Sequence, residues 1–105
     1  MRYFVLDRSK VKNKKFVVFE IDDKGDRIGR LIHFGDSRYD DYRIHRSKKR
    51  RDSYIARHGV MEDWSMSGVN SAGFWSRWLL WQEKTLSSSI KNLESMFPIK
   101  VYTKF

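Results

Sequence analysis

The chain has no cysteine among its 105 residues. Disulfide frameworks and thiolate metal sites are therefore excluded. The composition is compatible with a reducing compartment.

Long apolar runs are also missing. No run approaches the roughly 20 apolar residues that span a bilayer. The first residues form a short alternating stretch, without the hydrophobic region of a signal peptide. We expect a soluble protein that is not secreted and that works inside a cell or inside a particle.

Acidic residues are scarce relative to basic ones. Lys and Arg number 22 and Asp and Glu number 13, which gives a net charge of +9. Such a charge attracts polyanions and makes association sensitive to salt. The aromatic content of 15% excludes a disordered basic tail. Residues 1–105 are enough for one domain with a modest core.

Hydrophobic periodicity predicts an α+β fold. A hairpin is expected around Gly25, which can supply the positive φ of the turn at 22–26. Alternating segments predict four strands, at residues 2–6, 15–21, 27–34 and 99–105. Helical patterns predict three helices, at residues 42–58, 72–81 and 85–97. We expect a small antiparallel sheet, built from the N-terminal hairpin and edge strands, to pack against these helices, with the last strand pairing with the first.

The helix predicted at 42–58 contains a row of arginines with offsets of 0, 3, 7 and 14: Arg43, Arg46, Arg50 and Arg57. On a continuous helix they fall within about 60° over a rise of roughly 21 Å. Asp52, the only acid in this segment, points to nearly the opposite side. Unpaired guanidinium groups suit phosphates or carboxylates of a partner. The candidate binding surface also includes three neighbouring basic residues: Lys48, Lys49 and Arg51.

Two further interpretations of this helix remain open. An ordinary solvated face would also be rich in Lys and Arg. Three tyrosines near the row could stack on bases of single strands, although packing is the more common use of such residues: Tyr39, Tyr42 and Tyr54.

Tryptophans recur every three residues in the second predicted helix, at Trp75, Trp78 and Trp81, with Arg77 among them. Core packing is the expected role of these rings. The alternative is a protein interface, because Trp and Arg are common anchors there. Arg77 should reach a carboxylate or stack on an indole ring.

Catalytic and metal-binding patterns are absent. His45 and His58 are 13 residues apart and diverge by about 140° on one helix, so they cannot share a metal there. His33 could join one of them, but no metal-binding spacing supports this. Asp22, Asp23 and Asp26 are explained by a turn. No nucleophile elbow, phosphate loop or dinucleotide fingerprint occurs. We expect no enzyme activity, no cofactor and no metal.

Four sequence blocks carry a family resemblance: HFGDSRYDDYRIH (33–45), RRDSYIARHGVMEDW (50–64), SGVNSAGFWSRWLLW (67–81) and TLSSSIKNLESMF (85–97). The chain resembles a family of short basic proteins of uncharacterised role encoded by large double-stranded DNA viruses of algae and amoebae. The resemblance covers about residues 15–97. It implies a viral origin more firmly than a function, and no catalytic residues are carried over from it. In such viruses, small basic proteins commonly occur in the virion.

These observations support two hypotheses. The first is a non-enzymatic virion component, a minor capsid or internal protein, that docks on acidic protein surfaces or on the packaged genome. Residues 8–15 and the terminal strand 99–105 would suit attachment to a neighbour. The second is a nucleic-acid-binding module that contacts phosphates without reading sequence. Either would act in the virion or in the interior of an infected cell.

Overall fold

The computed structural model describes all 105 residues. Three strands come first: β1 (Arg2–Arg8), β2 (Lys14–Ile21) and β3 (Arg27–Asp36). Four helices and a short 3-10 turn follow: α1 (Tyr42–His45), α2 (Lys48–His58), the turn (Met66–Gly68), α3 (Ala72–Leu80) and α4 (Leu86–Met96). The chain ends with β4 (Ile99–Thr103). The predicted α+β class is confirmed.

The sheet has the strand order β3-β2-β1-β4. β1, β2 and β3 are antiparallel, and Gly25 has the positive φ (84°) expected for the turn between β2 and β3. β4 pairs with β1, as predicted, but the two strands run parallel. The sheet is therefore mixed and not purely antiparallel. The long connection through the helices returns the chain to the end of the sheet where β1 begins, which makes a parallel pairing possible.

The core lies between one face of this sheet and the helices α3 and α4. Alternate residues of each strand point to that face, including Phe4, Leu6 and Val18. The helices contribute Trp75, Leu79 and other apolar side chains to the same cluster. The opposite sheet face carries no helix.

The predicted continuous helix at 42–58 is wrong, because the chain breaks between α1 and α2. Arg46 ends α1 in the left-handed conformation (φ 56°), and its N–H donates to the carbonyl of Tyr42. Ser47 begins α2 as its N-cap, with its hydroxyl accepting from the N–H of Arg50. The Ser47 N–H donates to His45 Nδ1 at 3.0 Å. These local bonds satisfy groups that a continuous helix would have paired internally.

The other helices agree closely with the predicted segments. The hydroxyl of Ser71 caps α3, and that of Thr85 caps α4. No helix of the protein combines the length and the apolar character that crossing a membrane requires.

Candidate functional site

A groove of about 890 Å³ lies between α2, the start of α3 and the Lys14–Asp36 end of the β2–β3 pair. The side of α2 that lines it carries Lys49, Arg50, Ser53 and Arg57. These residues share a side because positions three, four and seven apart on a helix are neighbours. Lys14 lies on the opposite wall, where it pairs with Asp36 across the sheet.

Four cations of this groove are exposed and have no carboxylate within salt-bridge distance. They are Lys14, Lys49, Arg50 and Arg57, and we call the part of the groove that these four residues line the basic groove. Arg46 lies outside the groove at the junction of α1 and α2, and it is also exposed and unpaired. A cation without an internal partner keeps its charge available for an external anion.

Four acids line the groove: two are bonded to Lys or Arg side chains outside the basic groove, and Glu62 contacts His58 and Trp64. Asp36 is bonded to Arg38. Asp41 is bonded to Arg43 and to Lys15. Asp40 is exposed and unpaired. The groove therefore keeps a surplus of positive charge.

Arg43 does not belong to the basic groove, and the prediction that it is free of carboxylates is wrong. Its Nη2 lies 2.8 Å from Asp41 Oδ2, and its Nε donates to Asp41 Oδ1 at 2.9 Å. The same carboxylate caps α1 and accepts from Lys15 Nζ at 2.7 Å. The predicted arginine row required a continuous helix. Because the helix breaks at Arg46, Arg43 is turned away from Arg50 and Arg57.

Two further predicted binding residues are engaged within the chain. Lys48 Nζ lies 2.9 Å from Asp52 Oδ2 at the surface. Arg51 is half-buried, and its Nε donates to the carbonyl of Trp81 at 2.9 Å. The Arg51 guanidinium also lies over the ring of Tyr42, 5.5 Å from its centre. Arg51 therefore attaches α2 to the end of α3.

A stack of aromatic rings also attaches α2 to the rest of the molecule. Tyr54 is nearly parallel to Trp81, with ring centres 4.2 Å apart, and His58 stacks on Tyr54 at the same separation. Burial raises the pKa of the Tyr54 hydroxyl well above its ordinary value. Tyr42 and Tyr54 are buried and cannot stack on bases, whereas Tyr39 lines the groove and is 69% exposed.

The Trp block, by which we mean Trp75, Arg77, Trp78 and Trp81, is mainly part of the core. Trp75 is fully buried and Arg77 is buried, so the interface prediction is wrong for these two residues. Trp78 and Trp81 are half-buried, and the Trp78 indole N–H donates to the carbonyl of Trp64. Partial burial and contacts within the chain therefore explain the positions of both rings.

Arg77 stacks on indole rings, one of the two predicted alternatives. Its guanidinium lies 4.4 Å from the centre of Trp78 and 5.3 Å from that of Trp64. Nη1 donates to Gln82 Oε1 at 2.7 Å, and no carboxylate is bonded to it. Burial lowers the pKa of Arg77 to about 10, and the nearby charge of Arg51 adds to this effect.

The three histidines lie in separate local networks. His33 Nδ1 is 2.8 Å from Ser9 Oγ, His45 Nδ1 accepts from the N–H of Ser47, and His58 Nδ1 is 3.3 Å from Glu62 Oε2. No group of three or more His, Cys, Asp and Glu side chains is placed to hold a metal ion. Burial lowers the pKa of His45, which favours its neutral form.

Lys14 lies outside the predicted helix and therefore outside the predicted row of binding residues, although the segment 8–15 was predicted to suit attachment to a neighbour. It lies in the basic segment 8–15, far from α2 in sequence. Only the strand register, which pairs Lys14 with Asp36, brings it to the groove. No spacing rule along the chain carries that information.

The fold and groove define the protein as a small α+β domain with a basic surface groove. A family model described as a family of unknown function (DUF5754) matches residues 4–58, just over half of the chain. The chain therefore belongs to this family. The matched segment contains all four cations of the basic groove, and the Trp block lies outside it. Neither the curated proteins nor the solved structures include a match to this chain.

Proposed function

We propose that the protein is a non-enzymatic binding protein that holds a nucleic-acid backbone in its basic groove without reading the sequence. One observation carries the proposal: Lys14, Lys49, Arg50 and Arg57 line one groove, and none of them has a carboxylate partner in the chain. Neutralising phosphates with such cations releases counterions and drives binding.

The length of the cationic side of α2 fits a phosphate backbone. Lys49 and Arg57 are eight residues apart, a rise of about 12 Å along a helix. One DNA strand carries a charge about every 3.4 Å of helix axis, so this length covers three to four phosphates. Contacts with phosphates position a protein without specifying sequence.

The setting that we propose is a virus particle, in which the protein is a minor capsid or internal component. The support is the resemblance to short basic proteins of large DNA viruses. The acidic partner in the particle would be the packaged genome or an acidic surface of another virion protein. Mass spectrometry of purified particles should detect the chain, and its presence only in lysates of infected cells would contradict this setting.

Binding of a fluorescent DNA duplex of about 20 base pairs tests the proposed groove. Fluorescence anisotropy across 50–300 mM salt should give a slope of log K against log salt of about −3 to −4, because four cations contact phosphates. Replacing Arg50 and Arg57 by Glu should weaken binding roughly 10-fold or more at 100 mM salt. Both side chains are exposed and make no salt bridge, so the fold should persist.

The matched control replaces Lys84 and Lys91 by Glu. Both are exposed and lie beside or on α4, away from the groove, and the net charge changes equally. Retention of most binding by this control would place the contact in the groove. Equal losses in the two variants would show that only total charge matters, and no binding at 50 mM salt would eliminate the nucleic-acid partner.

A further inference from the structure

The sheet face that carries no helix is largely apolar. We call it the outer face, and strand register defines its members: Tyr3 lies opposite Ile21, Val5 opposite Phe19, and Asp7 opposite Val17. On the neighbouring strands, Tyr102 lies beside Val5, Lys100 beside Tyr3, and His33 beside Val17. Leu31 belongs to the same face, because it alternates with the buried Ile32.

Antiparallel sheets with one covered face usually present polar side chains on the other. Here the central strands β1 and β2 place five apolar residues and Asp7 on the outer face, and one of the five, Val17, is only 8% exposed. Exposure reaches 37% for Tyr3, 43% for Leu31 and 47% for Tyr102. The rings of Tyr3 and Tyr102 stack at 6.3 Å. Apolar side chains exposed on one sheet face in this way are typical of a protein interface.

The size of the outer face is suited to a small, reversible interface. Four strands spaced about 4.8 Å apart and about seven residues long project roughly 400 Å². Two such faces in contact bury roughly 800 Å² when they are treated as flat, and the uneven surface of the side chains adds to this area. The flat area is below the total of about 1,000–1,200 Å² at which specific interfaces begin, so the association should be weak.

The outer face carries a positive charge at one end and a negative charge at the other, and the loops beyond the two ends have the reverse signs. Lys100 lies beside Tyr3 at one end, and Asp7 lies at the other, four residues further along β1. Asp7 has no cation partner in its own chain, whereas Lys100 forms a salt bridge with Glu94 at 3.5 Å. Beyond the ends, the turn at 22–26 carries three Asp residues and Lys24, a net negative charge, whereas the β1–β2 connection carries Lys10 and Lys12. A two-fold axis that reverses the strand direction would therefore place unlike charges together.

We propose that two copies of the chain associate through their outer faces as a two-fold symmetric dimer. In this arrangement each Asp7 lies near Lys100 of the second copy, and each acidic turn lies near the basic connection of the second copy. Sheets that pack face to face lie about 10 Å apart, which long side chains can cross. A two-fold interface uses the same surface on both subunits, so a self-complementary charge pattern is its expected feature.

The dimer would turn the helical layers and the basic grooves of both copies outward. One assembly could then engage two polyanion segments, which raises overall binding strength by effective concentration. This consequence depends on the proposed function, whereas the dimer itself does not. Self-association can therefore be measured without any nucleic acid.

Sedimentation analysis of the full chain from 1 to 500 μM tests the dimer. We expect a reversible monomer–dimer equilibrium in the micromolar range for the wild type. Asp7→Lys and Lys100→Asp should each weaken association at least 10-fold, because each places like charges together. The double variant with both changes should restore association to within about threefold, because it exchanges the two charges.

Lys91→Glu is the matched control, since it changes the net charge as much as Lys100→Asp but lies on α4, on the helical side of the sheet. It should associate like the wild type, and circular dichroism should show that all variants are folded. A wild type that stays monomeric up to 500 μM overturns the proposal and leaves a different protein as the occupant of the outer face. A double variant as weak as the single variants also overturns it, because the proposed pairing would then be wrong.

Discussion

Asp41 is the residue that joins the sheet to the helical part of the groove. Its buried carboxylate accepts hydrogen bonds from the main-chain N–H, Nε and Nη2 of Arg43 and from Nζ of Lys15. Its role as the cap of α1 could be predicted from the sequence, because Asp is a preferred N-cap residue. The bond to Lys15 could not be predicted, since it joins residues that are 26 positions apart.

Removing this carboxylate should destabilise the fold. Asp41→Ala leaves two cations without their shared partner, and loss of one member of a buried ion pair costs about 3–5 kcal/mol. We expect a loss near 3 kcal/mol, because Arg43 remains partly exposed. Urea unfolding followed by tryptophan fluorescence at pH 7 measures it. Asp52→Ala, at an exposed position, should change the free energy of unfolding by less than about 1 kcal/mol.

Asp41 should also contribute to the acid sensitivity of the protein. Burial alone raises its pKa, but the hydrogen bonds from Arg43 and Lys15 outweigh burial, and the pKa lies below its ordinary value. A lowered pKa means that ionisation stabilises the folded state. This contribution is complete above the unfolded pKa of about 4 and disappears as the pH falls through the lower folded value.

The comparison of wild type and Asp41→Asn between pH 7 and pH 2 isolates this contribution. Three other acids with lowered pKa values are present in both proteins: Glu20, Asp36 and Asp63. The wild type should therefore lose more stability than the variant below about pH 4. Parallel curves would contradict a lowered pKa for Asp41.

At the scale of elements, the break between α1 and α2 determines which basic residues reach the groove. Amphipathic spacing could not reveal it, because no Gly or Pro marks the position. The break depends on Arg46 adopting a left-handed conformation, which costs an L-residue about 1–2 kcal/mol. Ser47, a good N-cap, offsets part of that cost by starting α2.

Glycine at position 46 should therefore stabilise the protein. Arg46→Gly removes the steric cost of the left-handed conformation and should raise the free energy of unfolding by about 0.5–1 kcal/mol. Arg50→Gly is the matched control, because the same change in the first turn of α2 should lower it by up to about 1 kcal/mol. Chemical denaturation measures both. A loss of similar size in the two variants would indicate a continuous helix and contradict the break.

At the scale of the whole molecule, the segment that matches the family model does not coincide with the segments that form the core. The match ends at residue 58, after β3 and α2. The side chains that cover the sheet come largely from beyond that point, including Phe74, Trp75 and Leu93. The matched segment thus carries the four cations of the basic groove together with the sheet side of the core, including Phe4, Leu6 and Val18, while the following helices supply the side that covers the sheet. Charge presentation is concentrated in one part of the chain, whereas the core needs both parts.

The two faces of the sheet have different consequences for association. The covered face forms the core, and the outer face leaves Tyr3, Leu31 and Tyr102 in contact with solvent. Alternation alone shows that each strand has two faces, and the sequence contains apolar residues on both. Which face receives the helices depends on the crossover from β3 to β4, which is a long-range property of the chain.

The amino-acid sequence by itself determined the α+β class, the hairpin at Gly25, the ends of α3 and α4, and the excess of positive charge. These features depend on local periodicity, capping and composition, which act over a few residues. Only the tertiary structure decided that Arg43 is neutralised by Asp41, that Arg77 is buried between indole rings, and that Lys14 joins Arg50 and Arg57 in one groove. Those outcomes depend on strand register and chain crossover, which bring together residues whose distance in sequence carries no information about their distance in space.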